Sequence, residues 1–295
     1  MPRVSIIIPT YKRGHILGEA LKSVQEQTYK DFEVIIVDDH SQDNGETRKV
    51  VEAFGDCNFK YIYLDKNKGP AGARNAALPF CGGEYLSFLD SDDLLLPQKL
   101  KKHVSILDSN LDAAMVYSDE YVLGNDGQLS PLPVRANRKP PLPSGFIASE
   151  FLRDSFIGTM TVTLRKIVFE EMKGFDESLI WNEDDDLWLR IMIRYKVICS
   201  DYPAGIRRLH ESSGSYKGNM SKIRDKMVYY QYKSLLKYAE TERSFFSKNA
   251  AIVKEKSNFI MNQYIRHCIR HFVFPSFESI KLYINLARKI RKAEK

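Results

Sequence analysis

The chain has 295 residues, of which 43% are apolar and 28% charged, the balance of an ordinary soluble globular protein. No apolar run is long enough to cross a bilayer as a helix, and the first residues lack the features of a secretory signal. The four cysteines are far apart and form no C-x-x-C pair, which indicates neither a zinc site nor a disulfide framework. A reduced, cytoplasmic protein is therefore expected.

The net charge of +6 is distributed unevenly along the chain. Residues 221–295 hold 17 Lys/Arg against 6 Asp/Glu, whereas the rest of the chain is mildly acidic. Apolar and aromatic residues recur at helical spacing within this basic segment. We predict a catalytic domain at 1–220 and a basic helical C-terminal extension at 221–295 that faces an anionic partner or water.

Short apolar runs alternate with amphipathic segments over the first ninety or so residues. This alternation predicts right-handed βαβ units and a mainly parallel central sheet flanked by helices, an α/β fold. Polar clusters at 9–13, 38–43 and 90–93 each follow a predicted strand, so they are expected to meet at one rim of the sheet. The predicted strands are 4–8, 32–37, 61–64 and 85–89, and the predicted helices are 15–27, 47–54 and 70–78.

Three later segments have distinctive patterns. Residues 94–107 have helical spacing, 113–117 form an apolar run typical of a strand, and the Gly-Asn-Asp-Gly sequence at 124–127 predicts a hairpin turn. Residues 131–145 contain five prolines and predict a loop, which we interpret as a flap.

The first acidic cluster is Asp90-Ser91-Asp92-Asp93. Carboxylates this close raise one another's pKa unless a cation neutralises them, and Mg²⁺ or Mn²⁺ binds carboxylate and phosphate oxygens together. The alternative is an N-cap of the predicted helix at 94–107, which needs only one aspartate.

The second acidic cluster is Glu183-Asp184-Asp185-Asp186. A carboxylate held near an acceptor hydroxyl is what a general base requires. The same four residues could instead begin a helix and complement its dipole on a solvated face. The residues alone leave both interpretations open.

Two basic segments complete the candidate site. Arg74 follows Gly69 closely, at the start of a predicted helix, where backbone N–H groups and a guanidinium can approach an anion. Arg207 and Arg208 precede His210 in a segment that we interpret as an anion-facing loop. The alternatives without a functional role are a tight turn with a surface arginine for the first segment and a structural histidine for the second.

Together these segments resemble the inverting family 2 glycosyltransferases of the GT-A fold. The resemblance covers about residues 3–215. Each motif is weak alone, but their common order is specific for the family. The matching segments are 9–13, 37–43, 69–75, 89–93 and 183–190.

The resemblance implies a role for each matching position. It implies Asp184 as the general base, with Asp185 as the alternative, and Asp92 and His210 as ligands of Mn²⁺ or Mg²⁺. The implied nucleotide-sugar contacts are Pro9, Thr10, Tyr11, Arg13, Asp38, Asp39, Gly69, Arg74, Asp90 and Ser91.

The resemblance implies transfer of a sugar from a nucleotide-diphosphate donor, with a UDP-sugar favoured, to a hydroxyl of a glycan, lipid-linked or protein acceptor in cell-surface polysaccharide synthesis. The chain departs from the family at Lys12, where an asparagine is usual, and at the additional Asp185. It lacks the Gln-x-x-Arg-Trp motif of the processive synthases, so transfer of a single sugar is expected. A sugar nucleotidyltransferase and a non-catalytic glycan- or nucleotide-binding module are the rival classes.

The last segment, 277–295, predicts a basic amphipathic helix with Phe277, Ile280, Ile284 and Ala287 on one face. Such a helix packs on its own protein, pairs with a second copy in a homodimer, or lies on an anionic leaflet as a peripheral anchor at the inner face of a membrane. We favour packing. No nucleic-acid motif accompanies the basic residues, so a nucleic-acid partner is not expected.

Overall fold

The computed structural model describes residues 1–55, 58–131, 142–209, 217–271 and 274–294. The side chains of 131, 217–223 and 271 are not among those described. Most of the proline-rich segment predicted as a flap, and His210, therefore lie outside the described residues.

A central sheet of seven strands, mainly parallel, organises the fold. Its strand order is β10-β6-β9-β4-β1-β2-β3, and only β9 runs antiparallel to its neighbours β4 and β6. The predicted mainly parallel sheet is therefore confirmed. The strands of this sheet are β1 (Val4–Thr10), β2 (Phe32–Asp38), β3 (Phe59–Tyr63), β4 (Tyr85–Phe88), β6 (Ala113–Tyr117), β9 (Thr163–Arg165) and β10 (Lys196–Cys199).

Alternation along β1 divides its side chains between two hydrophobic cores. Ile6 and Ile8 pack into one core, while Ile7 packs into the other. Because both faces are covered, three consecutive isoleucines occupy the middle of the strand, as is typical of central parallel strands. The parallel pairing of β1 with β2 and β4 brings the residues that follow all three strands to one rim.

A second sheet of four strands lies beside the acidic cluster at 90–93. Here the prediction of a helix over 94–107 is wrong at its start: residues 94–95 pair antiparallel with 205–206, and the helix begins only at Lys99. Pairing with a distant strand has overridden the local helical pattern. The hairpin predicted at 124–127 is confirmed. The strands are β5 (Leu94–Leu95), β7 (Tyr121–Leu123), β8 (Leu129–Pro131) and β11 (Gly205–Arg208).

Helices cover both faces of the central sheet, and the last four helices follow the catalytic core in sequence. Helices α1, α2 and α4 cover one face, while α3 and α7 contribute to the other. The helices are α1 (Gly14–Gln25), α2 (Glu46–Ala53), α3 (Gly69–Ala77), α4 (Lys99–Ser109), α5 (Ala148–Arg153), α6 (Lys166–Glu171), α7 (Glu183–Arg194), α8 (Lys217–Thr241), α9 (Arg243–Lys248), α10 (Ala250–His271) and α11 (Phe277–Ala293).

The C-terminal segment is helical, as its spacing predicts, and it packs on the rest of the chain. Tyr232, Tyr264 and Leu286 belong to the same buried cluster as Phe88 of the central sheet. The division at residue 220 stays a prediction. Within the described ranges, every helix is too short or too polar to traverse a bilayer.

The predicted packing face of α11 is wrong. Leu286 and Ile290 are buried, whereas Phe277 and Ile284 are exposed. Both sets recur at helical spacing, so the sequence alone did not distinguish the face that meets α8 from the face that meets solvent.

The lysine that begins helix α4 is fully buried. The Nζ of Lys99 donates hydrogen bonds to the Val162 carbonyl and Thr163 Oγ1, and it also contacts the Ser87 hydroxyl. Thr163 Oγ1 in turn contacts Nδ1 of buried His103 at 3.0 Å. Burial lowers the pKa of Lys99 to about 7, and burial together with Lys99 lowers that of His103. Above pH 7 both side chains are therefore mainly neutral in the folded protein.

We expect Lys99 to make stability depend on pH. Between pH 7 and about 10.5 the unfolded chain holds the lysine proton and the folded chain does not, so the free energy of unfolding rises with pH by up to about 1.4 kcal/mol per pH unit. Urea denaturation across this range should show that slope, and Lys99→Met should remove it. Lys101→Met, on an exposed lysine of the same helix, should leave it unchanged. Equal slopes in wild type and Lys99→Met would contradict a neutral buried lysine.

Candidate active site

Arg74 lies at the centre of the rim. Its guanidinium is 2.7 Å from an Asp90 carboxylate oxygen and 2.9 Å from a Glu183 carboxylate oxygen, and it packs over the Phe175 ring. Only 4% of the Arg74 side chain is exposed, and its Nε has no hydrogen-bond partner within the described residues. The interpretation of Arg74 as a surface residue is therefore wrong. The arginine joins the two acidic clusters that the sequence placed 93 positions apart.

The carboxylates of the first acidic cluster have separate partners. Asp90 pairs with Arg74, and Asp92 is 2.7 Å from the Arg13 guanidinium. Asp93 is buried and accepts a hydrogen bond from the Arg208 backbone at 2.9 Å. Burial and its two acidic neighbours raise the pKa of Asp93 well above its usual value. Ser91 is also buried.

The alternative in which an aspartate of this cluster, such as Asp93, caps the following helix is wrong. Helix α4 begins at Lys99, beyond β5. Asp93 instead joins the cluster to β11 through Arg208. Arg207 and Arg208 belong to that strand, which corrects their assignment to a loop; Arg208 also donates to the Asp92 carbonyl and pairs with Glu19.

The second acidic cluster forms the first turn of α7, and helical geometry separates its four side chains. Glu183 points to Arg74, and Asp184 accepts a hydrogen bond from Thr159 Oγ1 at 2.8 Å. Asp185 contacts the Asn182 amide at 3.1 Å and lines a small cavity of about 30 Å³ beneath α8 and α10. Asp186 is fully buried and bonds to Lys237, Tyr238 and Arg190.

Asp184 lies next to Glu183 in the first turn of α7, within reach of the charge of Arg74, and its pKa is raised. Burial, and then the charge of Asp185, raise the pKa of Asp184, while the hydrogen bond from Thr159 and the charge of Arg74 oppose the rise. Burial and Asp184 likewise raise the pKa of Glu183, whose charge Arg74 partly offsets. Asp186, in contrast, is fully engaged in holding α7 against α8.

The segments after β1 and β2 form the other side of the rim. The Asp38 carboxylate accepts from the Ser41 backbone and the Tyr61 hydroxyl. The Asp39 carboxylate accepts from the backbone N–H groups of Lys68 and Gly69, at 2.7 and 2.8 Å. Both aspartates therefore brace the loops of the rim, whatever contact they make with a ligand.

Thr10 and Tyr11 end β1 at the same rim, and Pro9 pairs with Val37. The Thr10 hydroxyl is buried and has no hydrogen-bond partner among the described residues, while Tyr11 is exposed. Lys12 lies over the Tyr11 ring at 5.2 Å. An unpaired buried hydroxyl beside an exposed aromatic ring suits a polar ligand with a flat ring.

Two further residues of this rim were missed by the sequence analysis. Thr159, in a 3₁₀ turn before β9, holds Asp184, and a lone threonine gives no warning of that contact. Glu120 is buried beside Gly158 and lies 3.4 Å from Arg207. It follows the strand predicted at 113–117, so the rule that polar residues after strands converge could have identified it.

A divalent cation fits the residues of this rim. Among the described residues, no group of three or more His, Cys, Asp or Glu side chains is arranged around a metal position. Mg²⁺ and Mn²⁺ can nevertheless bind through one or two carboxylates together with ligand phosphates. Asp92 is a partly exposed carboxylate beside Asp90 and offers that kind of ligand. His210 lies outside the described residues.

Solved structures with a similar fold bind nucleotide sugars. S. aureus TarS 1–349 in complex with UDP-GlcNAc superposes with a TM-score of 0.71 at 22% identity, over 99% of this chain and 82% of that chain. The mannosyltransferase PcManGT from Pyrobaculum calidifontis, in complex with GDP-Man and Mn²⁺, gives 0.58 at 16% identity, over 100% and 88%. The chain thus has the GT-A fold of glycosyltransferases, with a helical region at its C-terminal end.

Sequence comparison narrows this class to a family. Residues 5–169 match the family described as Glycosyl transferase family 2. The chain is 32% identical over 217 residues to the Escherichia coli UDP-Glc:alpha-D-GlcNAc-diphosphoundecaprenol beta-1,3-glucosyltransferase WfgD, covering 71% of this chain and 78% of WfgD. It is 30% identical over 194 residues to the putative colanic acid biosynthesis glycosyl transferase WcaA of Escherichia coli K12, covering 66% and 67%. The chain belongs to glycosyl transferase family 2 and is a glycosyltransferase.

Other relatives are much longer than this chain. An uncharacterized glycosyltransferase of Rickettsia conorii is 33% identical over 215 residues, which are 72% of this chain but 35% of that protein. This chain therefore spans only about a third of the length of that relative in their alignment.

Proposed function

We propose that this chain transfers a single sugar from a UDP-sugar, with inversion, to a hydroxyl of a sugar that is linked through diphosphate to a lipid. The observation that carries the proposal is the rim centred on Arg74, where both acidic clusters and the ends of β1 and β2 converge. WfgD uses a UDP-sugar and a diphosphoundecaprenol-linked acceptor, as its name states, and supports this choice of donor and acceptor.

The nucleotide is proposed to lie against the ends of β1 and β2. Tyr11 offers an exposed ring for stacking on the base, and the unpaired Thr10 hydroxyl offers a hydrogen bond. Asp39 holds Gly69 so that the backbone at the start of α3 can approach the donor. Pro9 and Asp38 support this wall, and Asp90 and Ser91 lie toward the ribose.

The charged groups of the rim are proposed to bind the diphosphate. Arg13 pairs with the Asp92 carboxylate, and Arg74 offsets Asp90 and Glu183. Asp92 would hold Mn²⁺ or Mg²⁺, with His210 as a further ligand, and a bound cation supplies positive charge to the leaving phosphate. Arg13, now paired with Asp92, would then be released toward the donor phosphates.

Asp184 is proposed as the general base. It accepts the proton of the acceptor hydroxyl, whose oxygen forms a bond to the anomeric carbon as the bond from that carbon to the diphosphate breaks. Thr159 orients the Asp184 carboxylate through a hydrogen bond. The raised pKa of Asp184 brings the basicity of this carboxylate closer to that needed near neutral pH. A single displacement inverts the anomeric configuration.

A donor screen tests this proposal. UDP-sugars with Mn²⁺ should raise the melting temperature, because a ligand that binds only the folded state stabilises it, whereas GDP-sugars should not. Asp92→Asn should remove the Mn²⁺ dependence of that shift. Transfer to a synthetic diphosphate-lipid sugar should then yield a product of inverted anomeric configuration by NMR. Stabilisation by UDP-sugars without transfer or donor hydrolysis would support the non-catalytic binding module instead.

A further inference from the structure

The C-terminal helices end in an exposed hairpin tip, which we define as residues 264–270 and 274–281. Helices α10 and α11 are antiparallel, with Lys254 paired to Glu294 at 2.9 Å at the open end. At the other end the Tyr264 hydroxyl accepts a hydrogen bond from the Ser276 backbone at 2.7 Å. These two contacts hold α10 and α11 together and therefore support the tip between them.

Large apolar side chains of the tip face solvent. Phe274 is 96% exposed and Phe277 74%, and Ile265 and Ile269 lie one helical turn apart on the outer face of α10. Scattered single apolar residues are normal on a surface, but several at one end of a hairpin indicate a binding face. The other described residues leave this outer face uncovered, and α11 packs through Leu286 and Ile290 instead.

The charges of the tip identify the partner. Arg266, Arg270 and Lys281 are exposed beside the apolar side chains, and Glu278 is the single acidic residue between positions 264 and 281. Apolar side chains that can insert, surrounded by cations, suit an anionic lipid surface. The same cations disfavour a second copy of this face, because like charges would oppose each other.

We propose that the hairpin tip docks on an anionic lipid bilayer. This inference rests on the proposed lipid-linked acceptor and adds the element that brings the enzyme to it. Tyr232 of α8 bonds to the Ser257 carbonyl of α10, and this antiparallel register places the start of α8 beside the tip. Helix α8 starts eight residues after Leu209, which directly follows β11, so its start lies within about 30 Å of Leu209; β11 in turn contacts the acidic cluster through Arg208 and Asp93.

Vesicle sedimentation tests the docking. The full chain should sediment with phosphatidylcholine vesicles that contain phosphatidylglycerol and much less with pure phosphatidylcholine. Phe274→Ser/Phe277→Ser should weaken binding at least about tenfold, because inserted apolar surface is lost. Arg266→Gln/Arg270→Gln/Lys281→Gln should weaken it about 100-fold, since each cation near an anionic leaflet contributes about a factor of five.

The controls separate docking from folding and from catalysis. Phe80→Ser, on an exposed phenylalanine distant from the hairpin in sequence, should bind vesicles as wild type does. The tip variants should keep the wild-type melting temperature and full transfer to a detergent-solubilised acceptor, so a wrong assignment of the reaction would show separately. Wild type that stays in the supernatant, or tip variants that sediment unchanged, would overturn the proposal. So would a dimer in light scattering that Phe274→Ser/Phe277→Ser converts to monomer.

Discussion

Replacing Asp184 by asparagine is expected to lower the rate of sugar transfer about 1,000-fold while donor binding stays intact. The amide cannot accept the acceptor proton, but it is isosteric and keeps the hydrogen bond from Thr159. Transfer is measured with the UDP-sugar that the thermal-shift screen selects, and donor binding by the size of that shift. A variant that transfers at the wild-type rate would remove Asp184 from the mechanism.

Asp185→Asn is the matched control. Its carboxylate contacts Asn182 and faces the small cavity beneath α8, away from Arg74. The variant should retain transfer to within a few-fold. An inactive Asp185→Asn beside an active Asp184→Asn would shift the base by one residue. The wild-type rate should also fall as pH decreases through the raised pKa of Asp184, because the protonated carboxyl cannot act as a base.

The position of this rim was predictable because its determinants are local. Apolar runs of strand length, separated by helical segments, predict a parallel sheet, and polar residues after each strand then meet at one edge. Thr10, Asp38, Asp39 and Asp90 were placed in this way, and the structure brings their segments together. The α/β fold with its mainly parallel sheet follows from the same pattern, whereas the GT-A fold was implied by the family resemblance.

The errors arose where distant contacts decide the outcome. Residues 94–95 have a helical pattern, yet they pair with β11 more than a hundred positions away. The apolar residues of α11 recur at a spacing compatible with two faces, and packing on α8 selects the one containing Leu286. Neither partner can be recognised from the local sequence.

In the second acidic cluster, too, the local sequence does not reveal which distant residues each of four consecutive side chains contacts. Consecutive carboxylates look equivalent in sequence, but successive side chains of a helix point about 100° apart, so each meets different neighbours. Asp186 is held by Lys237 and Tyr238 of α8, a helix that begins some thirty residues later. The Asp186 carboxylate therefore holds α7 against the C-terminal helices, whereas the Asp184 carboxylate faces the rim.

Arg74→Met is expected to lower the free energy of unfolding by about 3–5 kcal/mol, the usual consequence of removing one partner of a buried ion pair. Methionine can fill much of the space over Phe175, so the main loss is the cation that offsets Asp90 and Glu183. Urea denaturation measures the change. Arg48→Met, which removes an exposed arginine paired with Glu52 at 2.8 Å, should leave the free energy of unfolding nearly unchanged, because solvent screens the pair.

The pH dependence and a second substitution isolate the electrostatic cause. The destabilisation by Arg74→Met should shrink as pH falls, because a proton then neutralises Glu183, whose pKa is raised by burial and by Asp184, in place of the guanidinium. Glu183→Gln should recover part of the loss in the Arg74→Met background while destabilising the wild type, which a cavity at position 74 would not produce. A loss that is independent of pH and of Glu183 would mean that Arg74 acts through packing alone. Its role in joining the two acidic clusters would then be only steric.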